Sequence, residues 1–215
     1  MMTTYHVEGT IQRGIGPRQA QFAPDGTLKL HNEATSWRDE LYALVGQKLE
    51  SPSADIETDV DEASIVFEDT ATLVDYITMS IQINHDWLIG SDIHPHLHWW
   101  QTDGAVPNWL IQYRWQINGE VKTTDWTNSP WTEHVSAYSA GTLNQITKFA
   151  AISPPVGAGL SDILQVRIIR DTDDDSTEFG DVDPLAGSAS AISFDIHIEI
   201  DSFGSDGEYS KEGAP

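Results

Sequence analysis

Nine consecutive residues, Asp92-Ile93-His94-Pro95-His96-Leu97-His98-Trp99-Trp100, place a histidine at every second position. On a strand this spacing projects His94, His96 and His98 from one face, about 7 Å apart in successive pairs. Imidazoles on one face can ligate a transition metal. The competing reading is a half-buried strand face whose imidazoles hydrogen-bond to their neighbours, with Pro95 marking an edge or a bulge. A second segment, Asp171 to Asp183, carries seven carboxylates in thirteen residues. Such a cluster can hold Ca²⁺, a hard ion that takes about six to eight oxygens. Ser176 stands where an EF-hand loop requires glycine, so the expectation for 171–183 is an acidic, solvated loop. Seven tryptophans, Trp87, Trp99, Trp100, Trp109, Trp115, Trp126 and Trp131, fall within 45 residues. Strand parity assigns most of them to a core. Trp126 and Trp131 lie in the polar segment TTDWTNSPWTEH and are the candidates for stacking on a sugar or a partner. No P-loop, Rossmann glycine pattern or nucleophile elbow is present.

The elements that must carry these groups alternate with period two. In 76–85, Ile77, Met79, Ile81 and Ile83 face one way; in 109–117, Trp109, Ile111, Tyr113, Trp115 and Ile117 do. In 191–201, Ile192, Phe194, Ile196, Ile198 and Ile200 oppose Ser193, Asp195, His197, Glu199 and Asp201. β-Branched and aromatic residues at this period predict strands. Further strands are expected over 64–68, 93–101, 132–136, 145–152 and 163–170, whereas 37–45 fits helix and strand equally. With no run of βαβ units, the fold class is all-β: an antiparallel β-sandwich of jelly-roll type. The expected organisation is an N-terminal arm over 1–26, a sandwich domain over 27–205 and a C-terminal tail over 206–215.

Composition narrows the function classes. The chain of 215 residues holds 11 Lys+Arg against 34 Asp+Glu, a net charge of −23. Phosphate contacts need clustered cations, so neither nucleic acid nor an anionic membrane is an expected partner. No run approaches the roughly 20 apolar residues of a spanning helix. Cysteine is absent, which removes disulfides, thiolate nucleophiles and Cys-zinc sites.

Gly90, His96 and His98 resemble part of the first cupin motif, in which glycine is followed by five residues and then His-x-His. Asp103 sits near that motif's glutamate, but Leu110 occupies its closing glycine and no second motif supplies a further histidine. The expectation is therefore that His94, His96 and His98 hold no stoichiometric metal. No residue is assigned as catalytic, cofactor-binding or metal-ligating. A cupin-like enzyme using His96, His98 and Asp103 remains an alternative, as does a carbohydrate-binding module using Trp126 and Trp131.

A broader resemblance covers patches of 37–205. His85 to Trp99, HDWLIGSDIHPHLHW, resembles a block of uncharacterised tailed-bacteriophage virion proteins. Trp37-Arg38-Asp39-Glu40-Leu41, Val166–Asp171, Phe194-Asp195-Ile196-His197 and Ile200–Ser205 resemble that group's other blocks. The resemblance implies a non-enzymatic β-sandwich component of a virion, without catalytic residues. It makes the histidine block a fold signature in which His96 and His98 meet Asp195 or His197 on a neighbouring strand. Within that reading the expected role is capsid decoration, as a cement protein, with neck or tail-fibre attachment as the alternative. The partners would be the major capsid protein or another virion protein, together with copies of this chain in a homo-oligomer such as a trimer.

Overall fold

The computed structural model describes residues 3–7, 10–15, 18–22, 28–31, 34–45, 48–49, 55–59, 62–68, 75–101, 106–134, 145–170 and 187–203. Asp103, the acidic segment 171–183 and the tail from 206 lie outside them. The described residues form fifteen strands: β1 (Thr3–Val7), β2 (Thr10–Ile15), β3 (Arg18–Phe22), β4 (Leu28–His31), β5 (Ser36–Ala43), β6 (Lys48–Leu49), β7 (Asp55–Asp59) and β8 (Glu62–Phe67). There follow β9 (Asp75–Gln82), β10 (Ile93–Trp100), β11 (Trp109–Gln116), β12 (Thr127–His134), β13 (Gln145–Phe149), β14 (Ile163–Arg170) and β15 (Ala189–Ile200). Every pairing is antiparallel. The fold is an all-β, two-sheet antiparallel sandwich. Strands β1 to β4 pair in sequence as a separate sheet, which includes segments expected only as an arm.

One sheet of the sandwich runs β6-β9-β14-β11-β12; the other runs β12-β13-β10-β15 and continues through β8 to β7, with β5 also on β15. Strand β12 belongs to both. Its residues 127–130 pair with β11 and residues 131–134 with β13, and Pro130 sits at the change. A proline cannot donate to a ladder, so it suits a corner where one edge is handed from sheet to sheet.

The alternating residues meet between the sheets. Ile77, Met79 and Ile81 of β9, Trp109, Ile111 and Trp115 of β11, and Leu164, Val166 and Ile168 of β14 face Leu97 and Trp99 of β10 and Phe194, Ile196 and Ile198 of β15. Aromatic edges lock this core: the rings of Phe67 and Trp109 meet edge-on with centroids 5.1 Å apart, and Trp99 packs near Trp109. The Trp99 indole N–H donates to Thr147 Oγ1 at 2.8 Å, which satisfies its one donor inside the core.

Arg170 is fully buried at the end of β14. Its Nη1 donates to the carbonyls of Phe67 and Gly187, at 2.8 and 2.5 Å, and so ties β14 to β8 and to the approach to β15.

The ambiguous segment 37–45 is strand through Ala43. Its helical spacing reflected two different faces: Trp37 and Leu41 point away from the core and are 58% and 69% exposed, while Leu44 is buried.

Candidate metal centre

On β10 the core takes Ile93, Leu97 and Trp99, so His94, His96 and His98 occupy the opposite face of the sheet. Register then decides what meets them. His96 lies opposite Asp195 of β15, His94 opposite His197, and His98 opposite Ser193. On the far side of β15, Asp195 lies opposite Leu41 and His197 opposite Asp39 of β5. On the far side of β10, His96 lies opposite Lys148 of β13. One cross-strand row is therefore Leu41, Asp195, His96 and Lys148, and the next contains Asp39, His197 and His94. The β10–β15 register slips after His98, where β15 carries the extra residue Ile192. This bulge changes which residues of β15 face the core immediately beside the cluster.

Asp195 is the hub. Its Oδ2 is 3.4 Å from His96 Nδ1 and 3.3 Å from His197 Nε2, and its Oδ1 is 3.1 Å from His98 Nε2. The His96 and His197 rings meet with centroids 4.3 Å apart. Asp195 and His96 are buried, only 6% and 7% exposed, although they lie on the face away from the core. Burial pushes the Asp195 carboxyl up, but the His96 and His98 nitrogens outweigh it by contact and by charge, and the group stays well below the usual carboxylate range. Asp195 Oδ1 is nevertheless buried with no aligned hydrogen bond. Its nearest described nitrogen is His98 Nε2, so this oxygen faces His98 and not His96 or His197.

The other oxygen, Oδ2, is the one at which His96 and His197 converge. Charge-assisted N–H···O contacts run to about 2.7–2.9 Å, and the His96 and His197 contacts to Oδ2 are longer. A tetrahedral ion with bonds of about 2.0–2.1 Å sets its ligand atoms about 3.3–3.4 Å apart. His96, Asp195 and His197 each present one donor atom, all within 4.8 Å of one another, and form a triad that could hold a metal ion. Two imidazoles and one carboxylate leave positions open for water or substrate.

The other sequence candidates fall elsewhere. His94 packs edge-on against Trp37 at 5.4 Å and is not in the triad. Asp103 lies outside the described residues, and the carboxylate at the cluster comes from β15. Trp126 is half-buried, with the guanidinium carbons of Arg114 and Arg167 at 4.2 and 4.1 Å from its ring centroid, so cations already stack on it. The side chain of Trp131 lies outside the described residues. Asp39, whose Oδ1 is 2.9 Å from His197 Nε2, was missed. The period-two reading of β15 already put Asp195 and His197 on one face; only the edge strand β5 was needed to bring Asp39 alongside.

No family model and no curated protein matches this chain. The triad, buried at His96 and Asp195 and partly exposed at His197, overturns the expectation of a non-enzymatic virion decoration protein, because the histidine block is part of a donor cluster and not only a fold signature.

Proposed function

We propose that this chain is a cupin-like, metal-dependent enzyme built on a jelly roll, with His96, Asp195 and His197 as its ligand set. One observation carries the reading: His96 Nδ1 and His197 Nε2 lie 3.4 and 3.3 Å from the same oxygen, Oδ2, of the buried Asp195 carboxylate, at the edge length of a tetrahedral ligand set. The jelly roll is supported by strand order. Numbering β8 to β15 as eight successive strands, one sheet reads first, eighth, third, sixth and the other second, seventh, fourth, fifth. Two interlocked Greek keys produce that order.

A divalent ion would act here as a Lewis acid or lower the pKa of a bound water. The chain's own residues supply the rest. Asp195 brings a permanent negative charge, held ionised by its neighbours. The T-shaped His96–His197 contact fixes two rings, and β10 and β15, paired over eight positions, hold the donors rigidly. The arrangement departs from the cupin motif in taking its carboxylate from β15 and in facing away from the sandwich core.

The test is elemental analysis of natively purified protein, followed by titration of metal-stripped protein with Zn²⁺, Mn²⁺ and, without oxygen, Fe²⁺. One ion per chain is expected, with affinity falling more than about tenfold in His96→Ala and in His197→Ala, since even losing an outer partner of a ligand costs about 10–100-fold. Equal affinity in wild type and both variants, or no binding at all, overturns the reading.

A further inference from the structure

We infer that Asp39 is a fourth ligand of this centre, delivered by the edge strand β5; the inference rests on the metal reading above. The nitrogen of His197 that faces Asp195 is its Nε2, at 3.3 Å from Oδ2, and the same Nε2 is 2.9 Å from Asp39 Oδ1. One imidazole nitrogen cannot both donate a proton to Asp39 and give its lone pair to a metal. When an ion takes Nε2, Asp39 loses this hydrogen bond, and its carboxylate is left beside a cation with no other partner among the described residues.

Geometry and charge both favour its joining the ion. The separation of 2.9 Å is a few tenths of an ångström short of the roughly 3.3 Å edge of a tetrahedral ligand set. The side chain is 70% exposed, and β5 has one described neighbour, β15, so the small outward movement meets little resistance. Asp39 and Asp195 together carry two negative charges, which a divalent cation neutralises. Two neutral imidazoles and two carboxylates form a nitrogen–oxygen set suited to Zn²⁺, Mn²⁺ or Fe²⁺ and poor for soft Cu(I). The same strand flanks the centre with Leu41, opposite Asp195, and with Trp37 against His94. The exposed approach to the ion is thus framed by one carboxylate and two apolar side chains.

The experiment uses full-length, metal-stripped protein titrated with Co²⁺ and followed by its visible absorption, with Zn²⁺ as competitor. Wild type, Asp39→Asn and, as a control carboxylate in the exposed turn after β11, Glu120→Gln are compared, and each melting transition is recorded. Asp39→Asn is expected to bind at least about tenfold more weakly and to show an altered Co²⁺ band, while Glu120→Gln matches wild type. If wild type binds no Co²⁺, the metal reading itself fails. Wild-type binding with an unchanged Asp39→Asn variant overturns the fourth-ligand assignment alone. Weaker binding with an unaltered band also overturns it, because Asp39 would then act only by orienting His197.

Discussion

The value of a single side chain in this fold depends on whether its polar atoms have an alternative partner. Arg170 shows this most simply. Its guanidinium is enclosed, and two carbonyls, Phe67 O and Gly187 O, take its Nη1 protons. Arg170→Met keeps much of the volume but leaves both carbonyls unsatisfied, at about 1–3 kcal/mol each. We expect a loss of about 2–4 kcal/mol in urea unfolding, with an unchanged slope. Asp195 is the opposite case, because its Oδ2 has two imidazole nitrogens beside it, where a metal would be an alternative partner. The histidine spacing was legible in the sequence, since period two alone places His94, His96 and His98 on one face. The identity of the carboxylate was only half legible: Asp195 and His197 shared a face of their own strand, but pairing with β10 is set by a register that a bulge shifts. Asp39 was not legible, because nothing local decided between helix and strand for 37–45.

Strands with one clean apolar face were readable as elements; those defined by their neighbours were not. β9, β10, β11, β14 and β15 alternate because each has one side in the core. β12 carries Pro130 and changes sheets midway, so no single face runs along it. β5 is held by polar contacts near its core-side residues. Arg38 pairs with Asp86, Asn84 donates to Glu40, and the Tyr42 hydroxyl donates to Glu40 Oε2 at 2.7 Å. Burial, followed by the Glu40 hydrogen bond and charge, pushes the Tyr42 phenol above its usual range. The sign of the consequence is fixed. A phenol whose folded pKa is raised contributes stability fully present below the unfolded value, about 10, and lost as pH rises toward the folded one. Wild type should therefore lose stability above about pH 10 more steeply than Tyr42→Phe, while at neutral pH the variant is weaker by about 0.5–1.5 kcal/mol. Parallel alkaline unfolding curves for the two proteins would refute the anchoring role of this phenol. The same curves bear on the metal centre, because β5 also carries Asp39.

Across the whole molecule, charge sets two salt dependences of opposite sign. At −23, carboxylates outnumber cations about threefold, and their mutual repulsion opposes the compact state. Added salt shortens the Debye length from about 10 Å at 0.1 M to about 3 Å at 1 M and weakens that repulsion. The described ion pairs do not reverse this sign: Lys148–Glu133 is solvent-exposed and contributes little, and Arg38–Asp86 is partly buried, where salt screens less. The melting temperature of metal-free protein should thus rise, then level off, as salt increases from low millimolar to about 0.5 M. The approach of a divalent cation obeys the opposite rule. A strongly anionic body steers cations toward an exposed rim, and screening removes that steering. Stopped-flow association of Co²⁺ should therefore slow over the same salt range in which the fold gains stability, with dissociation changing less because the bound ion is held by direct donors. Asp39→Asn should leave the slope of the association rate against salt nearly unchanged, since one charge in 34 acidic groups barely alters the long-range field, while it accelerates dissociation. A melting temperature that falls with salt would mean that exposed ion pairs dominate the fold. A salt-independent association rate would mean that the cluster is reached by a path shielded from the protein's acidic surface.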